Sequence, residues 1–278
     1  MLRHLSFIVG MFVALIALAG EGRAQERPPV SQCQMIAGMM PDAQYARFDG
    51  SSLPLVKTAA NEDVTITFLG HSTFLIETPD GTRIATDWSG SLRSPLVPDV
   101  VTMNKAHSSH YTLLPDPAIP HVLHGWSDTP GEAADIKMVA GDAYIRNVPT
   151  DIRGFYGGGA EPNGNSIFIF EVAGLCIGHL GHLHYELTDS HYAQIGRLDV
   201  VMVPVDGGLT MGADSMSRVI TRLRSSLILA MHRTGPPVSR FLTLFGADFD
   251  KMASTSNSIR VSMRTLPKKP MILVLRGM

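Results

Sequence analysis

Four separate apolar runs of this chain each end within a few residues of a histidine, and that arrangement constrains the fold more than any other feature. His71 follows Phe68-Leu-Gly70, and His107 and His110 follow the apolar approach from Leu96 to Met103. His179, His182 and His184 follow Leu175-Cys-Ile177, while His232 follows Leu227-Ile-Leu-Ala-Met231. Loops at strand ends are where α/β scaffolds collect chemistry. A single such histidine usually serves as a hydrogen-bonded structural group, but four strand ends each delivering one point to a shared site. Neutral imidazole is a good ligand for zinc, and three histidines suffice to hold a catalytic ion.

The segments between these ends read as strands early and helices late. Val64-Thr-Ile-Thr-Phe68 and Thr73-Phe-Leu-Ile-Glu-Thr78 alternate as half-buried strands do, and Arg83-Ile-Ala-Thr86 returns after the turn Pro79-Asp-Gly-Thr82. His121-Val-Leu123, Ile136-Lys-Met-Val139, Ser166-Ile-Phe-Ile-Phe-Glu171, Leu198-Asp-Val-Val-Met-Val203 and Ser226-Leu-Ile-Leu-Ala230 are further strands. Met216, Val219, Ile220 and Leu223 recur at helical spacing, with Asp214 or Ser215 as the expected N-cap.

The first residues read as an address. Met1-Leu-Arg-His4 is a short basic start, an apolar run extends from Leu5 to Ala19, and Gly22-Arg-Ala24 places small residues at the -3 and -1 positions. That layout predicts a secretory signal peptide over residues 1–24, an N-terminal arm over 25–61 that includes a short helix from Ser31 to Met40, and a domain over 62–278. The apolar run falls short of the roughly 20 residues of a membrane span, so no stable span is expected after cleavage; a retained anchor is the alternative. The expected location is periplasmic or secreted. Export would make Cys33 and Cys176 potential disulfide partners, although Cys176, inside Val172-Ala-Gly-Leu-Cys-Ile177, also reads as a small buried hydrophobe. A formal charge of -2, with no Lys/Arg cluster beyond the pair Lys268-Lys269, gives no reason to expect a nucleic-acid partner.

Ordered blocks carry a resemblance. Val101-Thr-Met-Asn-Lys-Ala-His-Ser-Ser-His-Tyr111 is similar to the His-x-His-x-Asp-His motif of the metallo-β-lactamase superfamily, with Lys105 in place of the first His and Ser109 in place of the Asp. Phe68-Leu-Gly-His-Ser-Thr-Phe-Leu-Ile76 with Asp87, Gly178-His-Leu-Gly-His182, Leu198 through Gly208 and Ala230-Met-His232 resemble the ascorbate-6-phosphate lactonase-like branch. The resemblance implies an α/β fold, the αββα sandwich of two mixed sheets between outer helices. In that family one metal is held at positions that here are Lys105, His107 and Thr150, and the other at Ser109, His110, His182 and His232. The substitutions imply one metal at most, most naturally Zn²⁺ with Fe, Ni or Cu as alternatives, on His107, His110, His182 and His232.

Asp206, Lys105 and His71 are the candidate catalytic groups. Asp206 could act as general base, support a histidine, or simply cap its turn. Lys105 could stabilise an oxyanion or bind an anionic substrate, or pair with a carboxylate. Asp87 could orient His71 or close its own turn. The expected function is exported, metal-dependent hydrolysis of a small-molecule lactone, ester or phosphodiester. The competing expectation is a non-catalytic member of the fold that binds a metal or small anion.

Overall fold

A computed structural model describes residues 30–34, 62–90, 97–129, 131–154 and 159–278. The signal-peptide reading of residues 1–24 and most of the arm fall outside the described residues. Gln32 to Gln34 form bends rather than the first turn of a helix, and the remainder of that expected helix lies outside the described residues.

Alternation of Val64, Ile66 and Phe68 with threonine turns one face of β1 (Val64–Gly70) inward. It pairs antiparallel with β2 (Thr73–Glu77), which pairs with β3 (Arg83–Ala85); β4 (Val100–Met103) and β5 (His121–His124) then add in parallel. β6 (Lys137–Ala140), β7 (Ala143–Arg153), β8 (Ala160–Val172) and β9 (Leu175–His179) are successive antiparallel neighbours in a second sheet. That sheet continues in parallel through β10 (Val200–Pro204) and β11 (Leu227–Met231), both buried along their whole length, as the continuous apolar runs require. The late strands β12 (Asp250–Ala253) and β14 (Met271–Val274) close its far edge, and β13 (Ser258–Val261) crosses to flank β1. The result is a six-stranded sheet, β13-β1-β2-β3-β4-β5, and an eight-stranded sheet, β12-β14-β11-β10-β9-β8-β7-β6, both mixed.

Between the sheets lies a core in which Ile66, Phe74 and Ile84 join Phe168, Phe170 and Leu229. The other face of the eight-stranded sheet buries Ile169, Val201 and Ile228 with Ile195 of α1 (Asp189–Ile195), Met216 and Val219 of α2 (Ala213–Leu223), and Phe241 of α3 (Val238–Leu242). A third cluster, Leu75, Ala85, Val101 and Met103 with Trp88 and Ile119, involves loop side chains. Among the described residues the helices of the sandwich therefore serve the eight-stranded sheet, and loops cover Val101 and Met103. Gly212, not Asp214 or Ser215, caps α2; Asp214 lies inside its first turn, where a carboxylate meets the positive end of the helix.

Cys33 and Cys176 form a disulfide across 143 positions of sequence. It ties the described end of the arm to β9, and the Ser31 hydroxyl and Gln32 amide both donate to the Glu171 carboxylate beside it. No helix among the described residues is long and apolar enough to cross a membrane.

Candidate metal centre

The strand ends do converge. One ring nitrogen from each of His71, His107, His110 and His232 lies within 4.8 Å of every other. The His71 and His110 Nε2 atoms are 3.3 Å apart, about the separation of two nitrogens bound at 2.0–2.1 Å to one tetrahedral zinc. Both ring nitrogens of His232 are fully buried and make no hydrogen bond, although the Asp206 carboxylate lies 3.3 Å from Nδ1; an unpaired Nε2 costs free energy unless a cation takes its lone pair. A soft-to-borderline cation suits this all-nitrogen set.

His182 stands beside the four, its Nε2 3.1 Å from that of His107. The converging set thus exchanges one member of the expected ligands: His71, expected as a catalytic group, belongs to it, and His182 borders it. His179 is a structural histidine, bonded through Nε2 to the Ser72 carbonyl and accepting at Nδ1 from the Gly181 amide.

The backbone shows what holds these rings. His71, Asp87 and His232 have φ of 52°, 42° and 55°, a left-handed conformation uncommon for non-glycine residues, which aspartate and histidine adopt more readily than most. The His232 amide donates to the His71 carbonyl at 2.7 Å, joining the two turns directly. Asp87, wholly buried, sends its carboxylate to His110 Nδ1 at 2.6 Å rather than to His71, and accepts from Asn104 Nδ2 at 2.8 Å. A carboxylate at Nδ1 places the proton there and leaves the His110 Nε2 lone pair facing the cluster.

Asn104 and Asn165 are the residues that sequence reasoning missed. Asn104 also accepts from the Ser166 amide at 2.7 Å, and Asn165 accepts from the His182 amide while donating to Thr150 Oγ1. Thr150, expected at a lost ligand position, is therefore part of a buried amide network. Both asparagines close over Gly181: a Cβ there would lie 2.3 Å from Asn165 Oδ1 and 2.4 Å from Asn104 Nδ2, on a backbone with φ of 60°. Their only sequence signal was adjacency to the strand ends.

Two expected catalytic groups are placed differently. Lys105 is half exposed and pairs with Glu161, beside a cavity of about 250 Å³ that also includes Trp126 and Asn163. The ammonium is thus engaged by a carboxylate on β8, away from the converging set. Lys105→Ala is expected to leave metal stoichiometry unchanged and to cost under about 1 kcal/mol of stability, as exposed pairs do, checked by metal analysis and urea unfolding. Asp206 caps its turn, accepting from the amides of Gly208, Leu209 and Thr210 and from the Thr210 hydroxyl, and lies 3.3 Å from His232 Nδ1. Burial would raise its pKa, but His232 and Thr210 together bring it below the ordinary carboxylate range. Such a group supports His232 and is a poor general base. Ser109, standing where an acid was expected, bonds His107 Nδ1 at 2.7 Å and fixes that ring instead.

Burial, then neighbouring imidazoles, lowers His71 to about 3 and His107 to about 4, so both are neutral and ready to donate lone pairs near neutral pH. In the metal-free protein this makes stability pH-dependent. Below the ordinary value of 6.5 the unfolded chain binds protons at these positions that the folded chain refuses. Stability is therefore complete above about pH 6.5 and is lost as pH falls toward about 4. Urea midpoints of metal-free protein should hold from pH 8 to 7 and fall by roughly pH 5.5; a flat profile would contradict the burial of these rings.

Beside His107 and His182 opens a cavity of about 340 Å³ walled by Ala106, Ile152, Arg153, His184 and Leu209, the size of a small-molecule site. The model of the beta-lactamase superfamily domain matches residues 65–232. A proposed Zn-dependent hydrolase of the metallo-β-lactamase superfamily from Thermotoga maritima is 26% identical, covers 76% of this chain and 98% of its own, and superposes with a TM-score of 0.54. A proposed metal-dependent hydrolase from Parabacteroides distasonis is 13% identical, with coverage of 65% and 87% and a TM-score of 0.51. The metallo-β-lactamase fold protein YhfI from Bacillus subtilis is 11% identical, with coverage of 77% and 97% and a TM-score of 0.50. The latter two are similar in fold alone. No curated protein matches the chain.

Proposed function

The chain belongs to the metallo-β-lactamase superfamily, and from that premise we propose that it is an exported hydrolase using one Zn²⁺ to cleave a small lactone, ester or phosphodiester. The observation that carries this reading is the convergence of four imidazole nitrogens within 4.8 Å, two of them on buried rings. His71, His110 and His232 would hold the ion, with His107 in reach as a fourth ligand. When bound, Zn²⁺ supplies a Lewis acid that polarises a carbonyl or phosphoryl oxygen and makes water more acidic.

The chain's own residues prepare that chemistry. Asp87 keeps His110 in one tautomer, and Asp206 lies against His232 Nδ1. The carboxylate of Asp87 offsets the charge of a cation while remaining out of contact with solvent. Ile152 and Leu209 give the adjoining cavity an apolar wall, and His107 and His182 give it a polar floor. The proposed zinc dependence of the Thermotoga maritima relative supports the choice of metal. The Cys33–Cys176 disulfide supports folding in an oxidising compartment, and hence a periplasmic or secreted location.

The test is metal analysis of protein purified without a His tag, coupled to a panel of lactone, ester and phosphodiester substrates. About one zinc per chain is expected, with cleavage of one class that a chelator abolishes and zinc restores. Stoichiometric metal without cleavage on any class would favour the non-catalytic, ligand-binding member of the fold, and protein that takes up no metal would overturn the reading altogether.

A further inference from the structure

His184, outside the converging set, determines which way hydrogen bonds run through the residue next to it. Its Nδ1 accepts from the Arg153 amide at 2.9 Å, a bond that only a lone pair can make. Its Nε2 lies 2.9 Å from the Leu209 carbonyl, which can only accept. Both constraints give the same ring: a lone pair at Nδ1 and a proton at Nε2. A second proton on Nδ1 would collide with the Arg153 N–H.

That ring faces His182. His182 Nδ1 lies 3.0 Å from His184 Nε2, so it meets a proton and must present a lone pair. A neutral imidazole has one lone pair and one N–H, which leaves the proton of His182 on Nε2. This Nε2–H is 3.1 Å from His107 Nε2, which accepts, and the His107 proton then goes to Nδ1 and Ser109 Oγ at 2.7 Å. In this polarity the one His184 Nε2–H is shared between the Leu209 carbonyl and His182 Nδ1, and no two protons or two lone pairs face each other from Arg153 to Ser109. The reverse polarity would set a proton on His184 Nδ1 against the Arg153 N–H and leave that amide without its acceptor, whereas the Leu209 carbonyl would keep the Arg153 guanidinium as a donor.

We propose that His182 is not a metal ligand but a fixed hydrogen-bond donor, whose polarity is set by His184 through the Arg153 amide and the Leu209 carbonyl. Its Nε2 carries a proton and has no lone pair to offer a cation. It competes with a metal for the His107 lone pair; when His107 turns to the ion, the His182 N–H is left facing the cavity it borders. A donor there suits a carbonyl or phosphoryl oxygen acquiring negative charge. A carboxylate at this position could only accept, so the imidazole inverts the local polarity. The catalytic use of this donor rests on the hydrolase reading above, whereas the polarity does not.

Histidine-selective ¹⁵N labelling of the full chain allows long-range ¹H–¹⁵N correlation spectra to read each tautomer. His182 and His184 are both expected as Nε2–H rings, with His182 unchanged when Zn²⁺ is added. A His182 ring protonated at Nδ1, or one whose Nε2 resonance moves to a metal-bound position, would overturn the proposal. Competitive chelator titration with Zn²⁺ provides an arm of opposite sign. His182→Ala should bind zinc as tightly as the unsubstituted protein or more tightly, because it releases the His107 lone pair. His110→Ala should bind more than about 100-fold more weakly, beyond the 10–100-fold typical of residues that only support a ligand. Weakening of His182→Ala to the same degree would also overturn the proposal, and the tautomer of the unsubstituted chain decides the matter if that variant does not fold. Neither readout depends on turnover, so a protein inactive on every substrate counts against the hydrolase reading alone.

Discussion

Removing the disulfide between Cys33 and Cys176 is expected to destabilise the protein by about 5 kcal/mol, the chain-entropy value for a loop of 143 residues. For a domain of this size that lowers Tm by on the order of 10 °C. The bridge restrains the unfolded chain over more than half its length, so its main effect lies in the unfolded state. Native contacts around it are modest and partly independent. The Arg197 amide donates to the Cys33 carbonyl at 2.8 Å, and the Gln32 amide donates to Glu171, whose carboxylate is already paired with buried Arg146. These bonds would hold the arm in place in a Cys33→Ser, Cys176→Ser protein without restoring the entropic term. Urea unfolding of the oxidised protein, the reduced protein and the double variant checks the prediction. Coincident curves would mean that the arm and β9 remain associated in the unfolded ensemble.

How much of this architecture was legible depends on whether a segment's structure follows from its own residues. The β1 and β2 strands were legible because one face of each is buried, which forces alternation, and β10 and β11 because burial on both faces forces an unbroken apolar run. The β7 strand was not legible. Arg146, Asn147, Pro149 and Thr150 break any apolar period; the strand is held by its antiparallel partner β8, and its buried Arg146 pairs with Glu171 and donates to the carbonyls of Gln194 and Ile195, distant in sequence. The exposed β12 strand, Asp-Lys-Met-Ala, is likewise made by its parallel partner β14. The site divides in the same way. That histidines at strand ends would meet could be read from the chain, because parallel neighbours bring their ends to one edge. Which rings would turn inward could not. His71 enters the cluster through a left-handed backbone, and Lys105 leaves it for Glu161, a choice made by a residue 56 positions away.

Asp87 shows how strongly the site depends on such a distant choice, and Asp87→Ala is expected to be among the most damaging single changes in the chain. The carboxylate is wholly buried and accepts from His110 Nδ1 and Asn104 Nδ2, while its backbone, with φ of 42°, is one that aspartate tolerates better than alanine. Truncation leaves two buried donors without acceptors, each costing about 1–3 kcal/mol, so a loss of roughly 3–5 kcal/mol in urea unfolding is expected. It also releases the His110 ring, which can then place its proton on Nε2 and withdraw the lone pair it presents to the cluster. Zinc affinity should fall by about 10–100-fold, as it does when a carboxylate behind a metal-bound histidine is lost. Asp87→Asn separates the two effects. Its carbonyl can still accept from His110, but its amide must face the amide of Asn104, so stability should fall while most of the metal affinity remains. Equal affinity in the aspartate, asparagine and alanine proteins would show that the His110 tautomer is held elsewhere, and Ser72, whose hydroxyl lies 3.2 Å from the same Nδ1, would be the group to change next.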